Sequence, residues 1–185
     1  MVYDARMTAT NTGTEAKWPA DEPGHARLRE TLRRLNATHL STTDETNTLF
    51  DTPDASLRAD GHVLRLRTIS PGGTLLTFKG PATYSDGVKT RDETELSIAD
   101  RAAMQHILSG LGYQPSLEYH KRRETWQIDS ALVALDTLDF GRFVEIEGSD
   151  EQVRRIAAQV GLRMDDAIEK GYPALMRAHL ARDER

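Results

Sequence analysis

Cysteine is absent from the 185-residue sequence, which excludes disulfide bonds, thiolate nucleophiles and thiolate zinc sites. No apolar run approaches the roughly 20 residues that a membrane-spanning helix needs. The N-terminus also lacks the apolar stretch of a secretory signal. Positive charge is in short supply, since 24 Lys and Arg against 29 Asp and Glu give a formal net charge of −5. Without a bulk basic field for nucleic acid or an anionic membrane, we expect a cytoplasmic protein that binds neither.

Alternating apolar and polar residues predict strands in much of the chain, because successive side chains of a strand point to opposite faces. Strands are predicted near residues 14–18, 43–51, 62–69, 74–80, 89–98 and 116–128 and in two runs within 131–148, with a loop over 81–88. Helices are predicted at 25–36, 100–111 and 150–160, the last capped by Ser149, with a short helix within 169–180. The pattern indicates a single α+β domain with about eight antiparallel strands over residues 13–185, preceded by a flexible tail of residues 1–12.

The predicted strands carry charged residues in groups that share a face. These groups are Glu15 with Lys17, Arg65 with Arg67, Arg91 with Glu93 and Glu95, Lys121 with Arg123, and Glu145 with Glu147. The solvated face of an antiparallel sheet explains any one of them. Exposed ion pairs contribute only about 0–1 kcal/mol each, so stability hardly requires charges on so many strands. A sheet that closes on itself would instead line a lumen with both signs of charge, and helices would cover its apolar faces.

Such a lumen suits a chain of phosphates. Arg and Lys bind phosphate, and Arg does so through two hydrogen bonds at once. Clustered carboxylates hold hard cations such as Mg²⁺ or Mn²⁺. In the last predicted hairpin, pairing of Leu138 with Phe143 would place Asp136 opposite Glu145 and bring Glu147 to the same face. Since facing carboxylates repel each other, we hypothesise that a divalent cation lies among them.

Seven short motifs occur in one order along the chain. They are Glu15-Ala-Lys17, TLFDTPD at 48–54, LRLR at 64–67, TFKGP at 77–81, RDETE at 91–95, KRRETW at 121–126 and LDTLDFGRFVEIEG at 135–148. In this order the set resembles the CYTH superfamily, the triphosphate tunnel metalloenzymes, over nearly all of residues 13–176. The superfamily includes class IV adenylate cyclases, thiamine triphosphatases and inorganic triphosphatases. The resemblance implies an α+β fold with a closed eight-stranded antiparallel β tunnel and flanking helices, a triphosphate substrate, and Mg²⁺ or Mn²⁺ as cofactor.

The resemblance also assigns roles to individual positions. It implies phosphate binding by Lys17, Arg65, Arg67, Lys79, Arg91, Lys121, Arg123 and Lys170. It implies metal binding by Glu15, Asp136, Glu145 and Glu147, and catalytic parts for Lys17 and Glu15. Glu93, Glu95 and Tyr172 are expected to line the tunnel.

Two positions depart from the family pattern. Gly13 stands where the family has the first Glu of its N-terminal motif, and Gly171 stands where a Ser commonly precedes the C-terminal Tyr. The first departure removes one expected metal ligand. Weaker metal binding, a different metal preference or loss of catalysis would follow.

Four functions are compatible with these residues. The leading one is a metal-dependent triphosphatase that acts on inorganic tripolyphosphate or a small organic triphosphate, as a monomer or homodimer. The second is a class IV adenylate cyclase, which converts ATP to cyclic AMP and pyrophosphate. The third is a triphosphate- or polyphosphate-binding domain without turnover. The last is an α+β domain whose charged faces are merely solvated.

Overall fold

A computed structural model of the protein describes residues 9–183, which form nine strands. The strands are β1 (Ala9–Ala20), β2 (Thr38–Asp51), β3 (Val63–Ser70), β4 (Thr74–Lys79), β5 (Thr83–Ser85), β6 (Val88–Ile98), β7 (Gln114–Ile128), β8 (Ala131–Leu138) and β9 (Gly141–Glu147). The helices in the same range are α1 (Glu22–Arg34), α2 (Ser56–Ala59), α3 (Arg101–Gly110), α4 (Asp150–Gln159), α5 (Tyr172–Asp183) and a 3₁₀ turn at Met164–Asp166. None of the helices in the described range is long and apolar enough to cross a membrane.

The strands form one sheet in the order β1-β9-β8-β7-β2-β3-β4-β6-β5, and β1 is also hydrogen-bonded to β6. The hydrogen-bonded circuit of eight strands therefore returns to its start, with β5 attached to β6 as a ninth strand. The described strand registers, such as β1 with β9 and β3 with β4, are antiparallel. The predicted fold class, an α+β fold with a closed eight-stranded antiparallel β tunnel and flanking helices, is confirmed.

The predicted loop over residues 81–88 contains a strand, so that prediction was wrong. β5 pairs with β6 through Thr83–Thr90 and Ser85–Val88. The turn between them is Asp86-Gly87, with φ of +47° and +81°. A two-residue turn with positive φ at both positions is a favoured connection of antiparallel strands, so the dipeptide itself carried the signal.

The N-terminal strand is longer than expected. β1 begins at Ala9, so residues 9–12 belong to a strand rather than to the predicted tail. Residues 1–8 of that tail lie outside the described range. The assignment of residues 13–185 to one domain stays a prediction.

The chain divides into two compact units. Within the described range, the first unit comprises residues 9–13, 43–82 and 91–120, and the second comprises residues 14–42, 83–90 and 121–183. Each unit has its own apolar core. In the first, Phe50, Leu64 and Leu66 pack with Leu108 of α3.

The core of the second unit forms between the sheet and two helices. Trp18, Leu135 and Ile146 come from strands, and Leu32 and Ile156 come from α1 and α4. The prediction that helices cover the apolar strand faces is therefore confirmed for these helices. α4 begins at the predicted cap, where the Ser149 hydroxyl accepts from the backbone N–H of Gln152 and the Gln152 side chain accepts from that of Ser149.

His25 of α1 is a buried histidine in this second core. It is 1% exposed, and its Nε2 lies 3.0 Å from the Phe143 carbonyl oxygen. Burial lowers the pKa of His25, and the charges of Arg29 and Arg142 add to the effect, while the hydrogen bond to Phe143 and the charge of Glu22 oppose it. The imidazole is therefore neutral at neutral pH in the folded protein.

A pH dependence of stability follows from this burial. Because the pKa of His25 is lower in the folded than in the unfolded chain, the folded protein should lose stability as pH falls below about 6.5, the value for an unperturbed histidine. We expect His25→Gln, whose amide can still donate to the Phe143 carbonyl, to remove the loss of stability that protonation of His25 causes. Urea unfolding of the wild-type protein and the variant between neutral pH and pH 5 measures this loss. The prediction would be contradicted if the free energies of unfolding of the two proteins fell in parallel as the pH is lowered.

Candidate active site

The second unit holds a buried cluster of opposite charges on strands β7, β8 and β9. Arg123 and Asp136 are direct partners in the register of β7 and β8. The guanidinium binds the carboxylate through two hydrogen bonds, Nε to Oδ1 at 2.7 Å and Nη2 to Oδ2 at 2.5 Å. Arg123 also donates to Glu145, and Lys121 Nζ lies 3.6 Å from Asp136 Oδ2. Asp136 is 0% exposed, so its charge is compensated entirely by its neighbours.

Lys17 joins this cluster from β1. It is the direct register partner of Glu145, and its Nζ lies 3.0 Å from Glu145 Oε1. Burial by itself raises the pKa of Glu145, but the charges of Lys17, Arg123 and Lys121 outweigh it and hold the pKa well below its ordinary value. The carboxylate is therefore ionised at neutral pH.

Tyr172, the first residue of α5, closes the cluster on one side. Its hydroxyl donates to Asp136 Oδ2 at 2.6 Å. Its ring lies under two ammonium groups, with Lys17 Nζ 3.8 Å and Lys121 Nζ 5.2 Å from the ring centroid. Burial raises the pKa of Tyr172 well above its ordinary value, and the charges of Glu145 and Asp136 add to this. The phenol is therefore neutral and acts as a donor.

The predicted register of the last hairpin was wrong. The turn has only two residues, so Leu138 pairs with Gly141 and Asp136 pairs with Phe143. Gly141 starts β9 with φ of +148°, a conformation open to glycine. Because the pairing shifts by two residues, Asp136 and Glu145 remain on one face as diagonal neighbours, and Arg123 bridges them.

Two other carboxylates do face each other directly. Glu15 of β1 is the register partner of Glu147 of β9, which is exposed. Glu15 accepts a hydrogen bond from Lys89, Nζ to Oε1 at 2.8 Å, and Lys89 is buried. Sequence reasoning missed Lys89, although it continues the same-face series of Arg91 and Glu93 on β6.

The first unit has a charged cluster of its own. Arg67 lies between two carboxylates, with Nη1 3.6 Å from Glu45 Oε1 and Nη2 3.0 Å from Glu95 Oε2. Thr77 donates to the same Glu95 oxygen at 2.8 Å. Glu45 is buried and was not predicted, although it shares a strand face with Asn47 in the alternating stretch of β2.

A second group in this unit surrounds Glu93. Lys79 Nζ and Arg91 Nε lie 2.7 Å and 3.2 Å from Glu93 Oε1. The carboxyl also lies against Gly13, where a Cβ atom would be 3.1 Å from Glu93 Cδ and Oε1. The space beside Gly13 is thus already filled by a carboxylate, and a side chain at this position would need Glu93 to shift.

Arg65 is held by neutral groups as well as by charge. Its Nη2 lies 3.4 Å from Thr77 Oγ1, and it is hydrogen-bonded to the buried Tyr119, a residue that sequence reasoning missed. Burial by itself lowers the pKa of Arg65, but Tyr119 and the carboxylates Glu45 and Glu95 raise it above its ordinary value. The guanidinium is permanently charged.

Lys170 occupies an exposed position just before α5, and its role in phosphate binding stays a prediction. Six of the predicted site residues meet in the second unit: Lys17, Lys121, Arg123, Asp136, Glu145 and Tyr172. In the same unit, Glu15 and Glu147 form a separate pair. The first unit contains the other six, in the two groups described above: Arg65, Arg67 and Glu95 in one, and Lys79, Arg91 and Glu93 in the other.

The four predicted metal ligands form two separate pairs in the structure, Asp136 with Glu145 and Glu15 with Glu147. Over residues 9–183, no group of three or more acidic or histidine side chains is arranged to hold a metal ion. Asp136 and Glu145 are bridged by the Arg123 guanidinium, which binds both carboxylates. Glu15 and Glu147 present facing carboxylates, the oxygen ligands that Mg²⁺ and Mn²⁺ prefer. The pair Glu15 and Glu147 is therefore the better candidate of the two, and a cation bound there would compete with Lys89 for Glu15.

Comparison with known proteins identifies the family. The CYTH domain profile matches residues 11–172. The chain is 33% identical over 149 residues, 74% of each chain, to a protein of Aeromonas hydrophila named adenylate cyclase CyaB. Its structure resembles that of a candidate adenylate cyclase from Vibrio parahaemolyticus, with a TM-score of 0.77 and 23% identity over 91% of this chain and 99% of that one.

A further solved structure with the same fold is that of the Hippeastrum protein HpAC1, a candidate adenylyl cyclase with a dominant triphosphatase activity. Its TM-score is 0.71, with 17% identity over 90% of this chain and 96% of that one. The profile match covers most of the described residues and runs through both charged clusters. The chain belongs to the CYTH domain family.

Proposed function

We propose that this protein is a divalent-metal-dependent triphosphatase that hydrolyses a phosphoric anhydride bond of a triphosphate. The observation that carries the proposal is the burial of ammonium groups beside carboxylates on the strands. Lys17, Lys79, Lys89 and Lys121 are all buried. Burying an ion costs several kcal/mol, and its partner often no more than offsets this, so such an arrangement favours a function over a purely structural role.

In this proposal, phosphate oxygens compete with carboxylates for the cations. Arg67 is shared between Glu45 and Glu95, and Arg123 between Asp136 and Glu145. A phosphate binds a guanidinium in the same two-point geometry as a carboxylate, so the cations are already oriented for it. We assign phosphate binding to Arg65, Arg67, Lys79, Arg91, Lys17, Lys121 and Arg123. Lys170, at its exposed position, is the weakest of the predicted phosphate ligands.

Glu15 and Glu147, with Glu145 two residues away on β9, are the residues that would hold Mg²⁺ or Mn²⁺. When bound, the cation would neutralise charge on the phosphate oxygens. We assign to Lys17 the stabilisation of charge on a phosphate, and its contacts with Glu145 and the Tyr172 ring, which orient the ammonium, support this role. We assign to Glu15 the orientation of the attacking water, which Lys89 assists by holding the carboxylate.

Adenylate cyclase activity is the second candidate, and the similarity to the Aeromonas hydrophila protein named adenylate cyclase CyaB favours it. In that reaction the ribose 3′ hydroxyl attacks and pyrophosphate leaves, so a nucleoside must be bound beside the phosphates. A binding domain without turnover is the third, since Gly13 removes a carboxylate that the family resemblance implies.

Product analysis tests the proposal. Purified protein is incubated with Mg²⁺ or Mn²⁺ and either tripolyphosphate or ATP, with chelator in matched tubes. We expect metal-dependent release of orthophosphate or pyrophosphate without cyclic AMP. Cyclic AMP with pyrophosphate would establish the cyclase instead. No turnover but a raised melting temperature with tripolyphosphate would indicate a binding domain, and no stabilisation would refute all three candidates.

A further inference from the structure

Asn47 of β2 is a buried polar side chain with one hydrogen-bonding group unsatisfied. It is 0% exposed, and its Nδ2 lies 3.5 Å from Glu45 Oε2. Within the described part of the chain, Asn47 Oδ1 has no hydrogen-bond donor. A buried acceptor left in this way is destabilising relative to a hydrogen-bonded one, and buried groups of this kind call for an explanation.

The orientation of the Asn47 amide follows from its neighbour. The amide nitrogen points toward the Glu45 carboxylate, which can only accept. Rotating the amide by half a turn would place Oδ1 against that carboxylate, and two acceptors would then repel each other. The unsatisfied atom is therefore the oxygen, and what it needs is an N–H or O–H donor.

An unsatisfied donor lies on the neighbouring strand. Asn47 is the register partner of Arg67, and Arg65 is two residues from Arg67 on the same face of β3. Side chains in this diagonal relation have Cα atoms about 7–8 Å apart. The Nε of Arg65 is buried and has no acceptor among residues 9–183. Its charge suits a phosphate oxygen, so one ligand could satisfy both atoms.

Two adjacent rows of side chains cross β2, β3, β4 and β6 at this point. One runs Asn47, Arg67, Leu75, Ser97, and the other runs Leu49, Arg65, Thr77, Glu95. Each row holds one arginine and one leucine, so the rows do not differ in overall polarity. What the first row adds is the unsatisfied Asn47 acceptor, which needs a ligand that carries an N–H or O–H donor.

We infer that Asn47 is a specificity residue that accepts a hydrogen bond from an amino or hydroxyl group on the organic part of a triphosphate whose phosphate is bound at Arg65. The inference rests on the proposed function and narrows its substrate class. Inorganic tripolyphosphate in alkaline solution presents acceptor oxygens only, and it leaves Asn47 unsatisfied. The site therefore selects organic triphosphates over inorganic tripolyphosphate.

Equilibrium binding of ATP and tripolyphosphate tests this, measured by calorimetry with chelator present so that no turnover occurs. Asn47→Leu should weaken ATP binding about tenfold, the value of one hydrogen bond to a buried group, and leave the Kd for tripolyphosphate unchanged. Thr77→Val is the matched control. Its hydroxyl contacts Arg65 and Glu95, so this variant should weaken both ligands to a similar degree.

ATP analogues identify the donor group in the wild-type protein. Inosine triphosphate lacks the amino group, and 2′-deoxy- and 3′-deoxy-ATP each lack one hydroxyl. One analogue should bind about tenfold more weakly than ATP, and Asn47→Leu should not weaken that analogue further. The affinities of the wild-type protein need no variant, so equal values for ATP and all three analogues would overturn the inference even if Asn47→Leu fails to fold.

Three results would overturn the inference while leaving the proposed function intact. They are an equal effect of Asn47→Leu on both ligands, no effect on either, and equal affinities of wild-type protein for ATP and all three analogues. Failure of wild-type protein to bind ATP or tripolyphosphate would instead refute the proposed function as well.

Discussion

Glu145→Gln is expected to lower the free energy of unfolding by about 3 kcal/mol, in the range for breaking a buried ion pair. The carboxylate lies between Lys17 and Arg123, and all three side chains are largely buried. The amide would leave an excess of positive charge without water to solvate it. Urea unfolding of the variant measures the loss, and Glu151→Gln on the exposed start of α4 is the control for removal of a surface carboxylate.

The same variant should respond more strongly to a polyanion. If phosphates and Glu145 compete for Lys17 and Arg123, removal of Glu145 favours the phosphates. Tripolyphosphate should then stabilise Glu145→Gln more than it stabilises the wild-type protein. The difference between their free energies of unfolding should therefore shrink as ligand is added. A large loss of stability that tripolyphosphate does not reduce would show that the cluster serves the fold alone.

Acid should act on wild-type protein in the same direction as the mutation. The pKa of Glu145 is lower in the folded than in the unfolded chain. Its contribution to stability is therefore fully present above about pH 4.5, near the value of an unperturbed glutamate, and is lost as pH falls through the folded pKa. The free energy of unfolding of Glu145→Gln should therefore fall less steeply with decreasing pH below about 4.5 than that of the wild-type protein.

Glu147→Gln is expected to reduce metal-dependent turnover by a factor on the order of 10²–10³, a typical cost of losing one charge-stabilising group at a reacting centre. Glu147 is exposed at the end of β9 and faces Glu15 across the strand pair. Replacing one of two facing carboxylates also relieves repulsion. The free energy of unfolding should therefore stay within about 0.5 kcal/mol of wild type, as for most surface substitutions.

Two measurements on this variant separate metal binding from phosphate binding. Orthophosphate release at increasing Mg²⁺ should show a higher metal requirement, whereas the Kd for tripolyphosphate in chelator should not rise. Glu151→Gln again controls for lost surface charge. Unchanged turnover at every metal concentration would exclude Glu147 as a ligand and with it the pair Glu15 and Glu147.

Residues that share a strand face could be predicted because alternation is local. The same-face pairs of Arg65 with Arg67 and of Lys121 with Arg123 depend only on the period of the strand. The partners Glu45, Lys89, Asn47 and Tyr119 were missed. They lie on the same faces, but no motif singles them out, and they matter only through contacts with other strands.

Cross-strand contacts depend on turns, and turns were the weakest part of the prediction. One shorter turn changed the partner of Asp136 from Glu145 to Phe143. The Asp86-Gly87 turn added β5 where a loop was expected. In both places a glycine with positive φ stands in or beside the turn. The Asp86-Gly87 dipeptide was a recognisable turn signal, whereas nothing in the sequence showed that the turn before Gly141 has only two residues.

The sequence by itself determined which residues share a strand face, which helices cover the apolar faces, and the order of motifs that identifies the family. Tertiary structure decided which charges meet. It placed Arg123 between Asp136 and Glu145 and left Glu15 facing Glu147. It left Lys170 exposed and, among residues 9–183, provided no donor for the Asn47 oxygen. The reason is physical: the period of a strand is a property of neighbouring residues, whereas ion pairs and unmet hydrogen bonds arise from register and burial between strands that are distant in the chain.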